Sequence, residues 1–200
     1  MTHHPPHLLV LTLIVIAMTG CGSKPLTTSG FLSDYSNLNK ISDQRMNFIG
    51  PELSTYNAYI VDPVEMRIDR EILKPEDRAD VANYLRESFA KILTDRDYTV
   101  ATRPGVGVAR IRMAITDVQK STWWMNLHPG TKLTGAGAGG ASMEGEVIDS
   151  VTGAQLAAVV QAGRGNQFEL DTFSEIDDVK DVIDQWAKTA GERLDELRKR

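Results

Sequence analysis

Cysteine is almost absent from this chain of 200 residues, in which Cys21 is the only one. A single thiol excludes an intramolecular disulfide and every zinc site built from several thiolates. Histidine is nearly as scarce where it could act. His3, His4 and His7 stand at the extreme amino terminus, which leaves His128 alone in the rest of the chain. A membrane-spanning helix needs about 20 consecutive apolar residues, and the longest apolar run, Leu8 to Met18, is roughly half that length. Basic residues do not predominate either: 22 Lys and Arg against 27 Asp and Glu give a formal charge of −5. Such a chain has no global attraction for a phosphate backbone, so no nucleic-acid partner is expected.

What is present is concentrated first around Cys21. An apolar stretch is followed by Thr19-Gly20-Cys21, the pattern of a secretory signal with small residues at the cut. A cysteine directly after those small residues distinguishes a lipoprotein signal from an ordinary one. Residues 1–20 therefore read as a lipoprotein signal peptide and Cys21 as the acylated first residue of the mature chain. Two acyl chains already give stable anchoring. By resemblance to Gram-negative lipoproteins, Gly22, where an aspartate would cause inner-membrane retention, directs the protein to the outer membrane, facing the periplasm. Acylation also consumes the only thiol, leaving none for nucleophilic catalysis or metal binding.

Removing residues 1–20 leaves 180, enough for one ordinary core. Residues 21–55 are rich in Ser, Thr, Asn, Gly and Pro and read as a lipidated amino terminus and tether. Phe31, Leu32, Tyr35, Leu38, Met46, Phe48 and Ile49 are too many apolar groups for a fully solvated linker, so part of it is expected to dock. Residues 56–200 read as the folded periplasmic domain. Extended segments are predicted at Ala58–Asp62 and Val64–Asp69. Pro75, with Glu76 and Asp77 in the first turn, opens a helix whose stripe is Ala82, Leu85, Phe89 and Ile92. Strands follow at Tyr98–Ala101 and Val108–Val118. The latter places Ala109, Ile111, Met113 and Ile115 on one face, Arg110 and Arg112 on the other. Met143–Ile148 and Ala154–Ala162 flank Asp149-Ser150-Val151-Thr152-Gly153, a hairpin signal. A final helix carries Val179, Val182, Ile183, Trp186, Ala190, Leu194 and Leu197. The order β-β-α-β-β-β-β-α predicts a single α+β domain, a mainly antiparallel sheet with two helices packed on one face.

Three blocks, Ser29-Gly30-Phe31-Leu32-Ser33-Asp34-Tyr35-Ser36-Asn37-Leu38, Arg103–Arg112 and Met143–Gly153, with Trp186-Ala187 later, resemble the Gram-negative lipoproteins grouped as domain of unknown function 3313. The resemblance implies a lipoprotein facing the periplasm and carries no activity with it.

The chemistry-bearing motifs are few. Gly135, Gly137 and Gly140 have GxGxxG spacing, but the residues that follow alternate like a strand instead of opening a helix, so no dinucleotide site is expected. Glu175, Asp177, Asp178, Asp181 and Asp184 lack calcium-loop spacing. No cofactor and no metal site is predicted. Glu144 and Glu146 share one strand face about 7 Å apart, a separation compatible with a glycosidase pair. The structural alternative sets them opposite Arg110 and Arg112 across the sheet, as exposed pairs. Trp123 and Trp124 are the candidate binding residues for a partner, a glycan or another small ligand. The sequence thus points to a non-enzymatic, membrane-anchored adaptor or accessory with protein partners in the envelope. The rivals are a ligand-binding module using Trp123 and Trp124 and an envelope hydrolase using Glu144 and Glu146.

Overall fold

The computed structural model describes residues 26–68, 73–119, 140–164 and 177–199. Its strands are β1 (Asn39–Ser42), β2 (Arg45–Ile49), β3 (Ala58–Val61), β4 (Glu65–Met66), β5 (Thr99–Val100), β6 (Val108–Gln119), β7 (Gly140–Asp149) and β8 (Gln155–Arg164). The helices among the described residues are α1 (Pro75–Thr94), α2 (Asp177–Arg198) and a short 3-10 turn at Pro51–Thr55. All eight strands join one open sheet in the order β1-β2-β8-β7-β6-β3-β5, with β4 also on β6. The domain is α+β, as its sequence pattern predicts.

The sheet is mixed. The β1–β2, β2–β8, β8–β7 and β7–β6 pairs are antiparallel, while β3 runs parallel to both β5 and β6, and β4 parallel to β6. The parallel part follows from α1, which carries the chain back over the sheet between β4 and β5 as a crossover must. The segment read from sequence as a tether contributes β1 and β2, so the sheet begins at Asn39, well before residue 56. β1 is exposed throughout and forms an edge of the sheet. Its Asn, Lys and Ser content is the kind that keeps an edge from recruiting another strand.

Both helices pack on one face, where Val81, Leu85, Phe89 and Leu93 of α1 and Val179, Val182, Ile183 and Trp186 of α2 meet the sheet in a single core. The α1 stripe keeps a spacing of four and is turned slightly from the one predicted. Ala82 and Ile92 flank it instead of forming it. Helix-facing positions of four strands line up in rows: Arg45–Gln161–Met143–Ile115, Asn47–Val159–Gly145–Met113 and Ile49–Ala157–Val147–Ile111. Gly145 leaves the middle row without a side chain at its centre. The opposite face carries a second, smaller apolar cluster of Phe31, Leu32, Ala114, Ala158 and Val160, with Leu26, Tyr35, Leu38, Met46 and Phe48 around it.

The β7–β8 hairpin forms as expected. Asp149 accepts the N–H groups of Val151 at 2.9 Å and Thr152 at 2.6 Å, and the Tyr56 hydroxyl at 2.8 Å. Gly153 closes the turn at φ +74, a backbone state glycine adopts without steric cost. The Thr152 N–H, then the Tyr56 hydroxyl, hold the Asp149 carboxyl down from 3.8 to about 2. A carboxyl lowered by folding contributes stability that is complete above its unfolded pKa and fades as pH falls through the folded one. Asp149→Asn is therefore expected to flatten the acid limb of the melting curve between about pH 4 and pH 2. Melting temperatures measured across that window check this. A variant that loses stability as steeply as the parent contradicts it.

Candidate functional site

The sheet face away from the helices carries an unusual charge arrangement. Glu144 and Glu146 sit side by side on β7 and are almost fully buried, at 0% and 2% exposure. Alternation along the strand aims both at this face, where residues 26–38 lie over them. Glu144 receives the backbone N–H of Ser29 and the hydroxyl of Tyr35 in short hydrogen bonds. Glu146 receives Arg112 Nη1 at 2.6 Å on one oxygen. Its other oxygen accepts the Ser33 N–H at 2.9 Å, the Ser33 hydroxyl at 2.7 Å and Gln155 Nε2 at 2.8 Å. A buried carboxylate is tolerated only when its lone pairs are met in this way. Here the donors other than Arg112 and Gln155 come from a segment more than 100 residues distant in sequence.

Local chemistry shapes that segment. Gly30 takes φ +76, which turns the Ser29 amide toward Glu144 while Phe31 enters the cluster. Asp34 accepts the Ser36 N–H at 2.8 Å and its hydroxyl at 3.0 Å, an Asx turn. This brings Tyr35 back so that its oxygen accepts the Leu32 N–H at 3.1 Å. Burial, reinforced by the hydrogen bond to Glu144, pushes the Tyr35 hydroxyl above its ordinary value, so it stays protonated and donates. Phe31 is only 4% exposed, and the guanidinium carbons of Arg67 and Arg112 each lie 5.1 Å from its ring centre, within cation–π range.

The predicted exposed pairing is thus corrected in two respects. Arg112 does stand opposite Glu146, but the carboxylate is buried. Arg110 stands opposite Ile148 and turns instead to Asp62 at 2.8 Å. Glu144 faces Ala114 across the strands and depends on Ser29 and Tyr35. Sequence reading missed Ser29, Ser33, Tyr35 and Gln155 as partners. The only signal for the first three was the Ser29–Leu38 block itself. Of the acids that lack calcium-loop spacing, Asp184 bridges to α1 by accepting the hydroxyls of Tyr84 at 2.8 Å and Ser88 at 3.2 Å. Cys21, Trp123, Trp124, His128 and the glycines at 135, 137 and 139 lie outside the described residues.

A family model for proteins of unknown function, DUF3313, matches residues 27–190. The chain belongs to that family. The match begins within the segment that covers Glu144 and Glu146, so DUF3313 membership includes the covering segment as well as the sheet. Comparison with curated proteins finds no match. Among solved structures, the PelC dodecamer from Paraburkholderia phytofirmans is similar at 14% identity and a TM-score of 0.45, over 70% of this chain and 93% of that one. A minor lipoprotein from Acinetobacter baumannii is similar at 10% identity and 0.37, over 72% and 95%. Lipoprotein GNA1162 from Neisseria meningitidis is similar at 12% and 0.37, over 70% and 98%.

Proposed function

We propose that this DUF3313 protein is an outer-membrane lipoprotein, acylated at Cys21 and facing the periplasm, whose domain serves as a non-enzymatic adaptor or accessory in an envelope assembly. The observation that carries the reading is the docked amino-terminal segment. Leu26 already packs at the edge of the second cluster, and four residues separate it from Cys21. The five steps of extended chain between them reach at most about 18 Å. An acyl anchor on Cys21 therefore holds the domain close to the bilayer. A freely swinging body would need the whole stretch to residue 55 as its leash.

The state of the two carboxylates supports the non-enzymatic part. A glycosidase pair must reach the scissile bond directly, whereas Glu144 and Glu146 are covered and their oxygens are taken by Ser29, Ser33, Tyr35, Arg112 and Gln155. Their role in this reading is to fasten the anchor segment to the sheet.

Cys21→Ser tests the anchor. The variant is expected to lose fatty-acid labelling and to leave the outer-membrane fraction, with the melting temperature of the domain unchanged. Labelling that persists in the variant, or unchanged fractionation with the outer membrane, contradicts the proposal.

A further inference from the structure

Between α2 and the sheet lies an apolar cavity of about 130 Å³. Small residues border it: Gly145 supplies no side chain in the middle row, where the Met143 methyl lies 3.1 Å from the place a Cβ would take, and Ala190 of α2, also in the lining, supplies only a methyl. Sulfur and hydrocarbon groups such as Met113 and Met143 form the floor. Toward the β2 edge the lining changes character, to Arg45, Asn47, Gln161 and Arg193. Arg45 stands directly opposite Gln161.

Arg45 is the anomaly. Its Nε is buried and has no hydrogen-bond partner, and Arg45 makes no ion pair among the described residues. Arg193 is exposed and gives one nitrogen to Glu196 at 2.6 Å, a pair on its own helix that leaves other N–H groups unused. Two guanidinium groups thus share one end of an apolar hollow. A buried donor without an acceptor is costly, and a guanidinium beside a second cation is more so. Burial, then the charge of Arg193, pushes the Arg45 guanidinium below its usual value, the direction an anion would reverse. Planar bidentate groups such as carboxylates are the acceptors that a guanidinium fits best.

We propose that this cavity is a binding site for a single-tailed anionic amphiphile, with the alkyl tail between Gly145 and α2 and the acidic head on Arg45 and Arg193. The volume is consistent with a tail tip. A comparable dry cavity of about 150 Å³ accepts a six-carbon ring, so the enclosed part takes about six carbons and the remainder extends along the open side past Ile49, which is 38% exposed. The occupant is defined by complementarity of charge and apolar surface, and the site does not depend on the anchoring proposal, since it lies on the opposite face of the sheet.

Photo-crosslinking of the full chain in its native membrane tests it. The probe is decanoic acid carrying a diazirine near the tail end and a terminal alkyne. The matching decanol, which has the same tail and no charge, is the control. Crosslinks are expected on peptides containing Met113, Met143 and Val159, at least about 10-fold stronger for the acid than for the alcohol, as a charge-assisted bond to Arg45 implies. Arg45→Gln should reduce acid labelling about 10-fold and leave alcohol labelling as it was. Arg45→Lys, which keeps the charge, should retain most of it. Equal labelling by acid and alcohol, labelling undiminished in Arg45→Gln, or crosslinks absent from those peptides overturns the proposal.

Discussion

Arg112→Ala is expected to destabilise the domain by about 3 kcal/mol, the scale on which removal of one partner from a buried ion pair is felt. The Glu146 side chain is fully buried, while Arg112 retains about a third of its exposure. Removing the cation leaves the carboxylate with Ser33 and Gln155 as donors but no compensating charge. For a domain of this size, 1 kcal/mol moves the melting temperature by about 2–4 °C, so the loss should be about 6–12 °C. An exposed pair behaves differently, contributing about 0–1 kcal/mol. Glu146→Gln in the Arg112→Ala background should restore roughly half the loss by removing the stranded charge while keeping acceptors for Ser33. A drop below about 2 °C, or no recovery in the double variant, means that the pair behaves as a surface pair.

Phe31→Ala is expected to be at least as damaging, by about 3–5 kcal/mol as for other buried aromatic truncations. Phe31 is the apolar member that seats the covering segment, and two guanidinium groups pack against it. Its loss acts twice. It leaves a void in the second cluster, and it weakens the seating of Ser29, Ser33 and Tyr35 on the carboxylates. Thermal unfolding and amide exchange together check this. The variant should melt lower and show faster exchange across 29–36, while α1 and α2 lose protection only as global stability falls. A variant with unchanged melting and unchanged exchange at Ser29 and Ser33 contradicts the seating role.

The parts of the fold that sequence reveals are those governed by local periodicity. β6, β7, β8, α1 and α2 each carry an apolar stripe long enough to declare its period, and the Asp149–Gly153 turn has its own side-chain chemistry. β1 and β2 escape for the opposite reason. They are four and five residues long, rich in Asn, Lys, Ser and Arg, and β1 has no buried position. Their strand state comes from the pairing of β2 with β8 and of β1 with β2. The parallel pairing of β3 with β6 is equally invisible, because a strand four residues long carries no mark of its partner's direction.

The carboxylate site illustrates a further limit. Alternating Glu144 and Glu146 on a strand predict a solvated face, and local reasoning has no ground for another conclusion. Burial arises from Phe31 and Leu32 arriving over 100 residues away in sequence, with Ser29, Ser33 and Tyr35 supplying the hydrogen bonds that permit it. The Ser29–Leu38 block stands out as a recognisable stretch of sequence, and its contacts show what that stretch does in this fold. Arg45 was missed for a related reason, since its environment depends on Gly145 and on where α2 crosses the sheet.

In the proposed reading, residues 26–38 are a fixed part of the domain, so that an acyl anchor on Cys21 holds the domain near the bilayer. Amide hydrogen exchange at Ser29 and Ser33, measured on the acylated protein in membranes, tests it most directly. Both amides donate to buried carboxylates and are predicted to exchange as slowly as the flanking strands of the sheet. Exchange at the rate of a free linker would show that residues 26–38 are a tether after all, and the account of a closely held domain would fail.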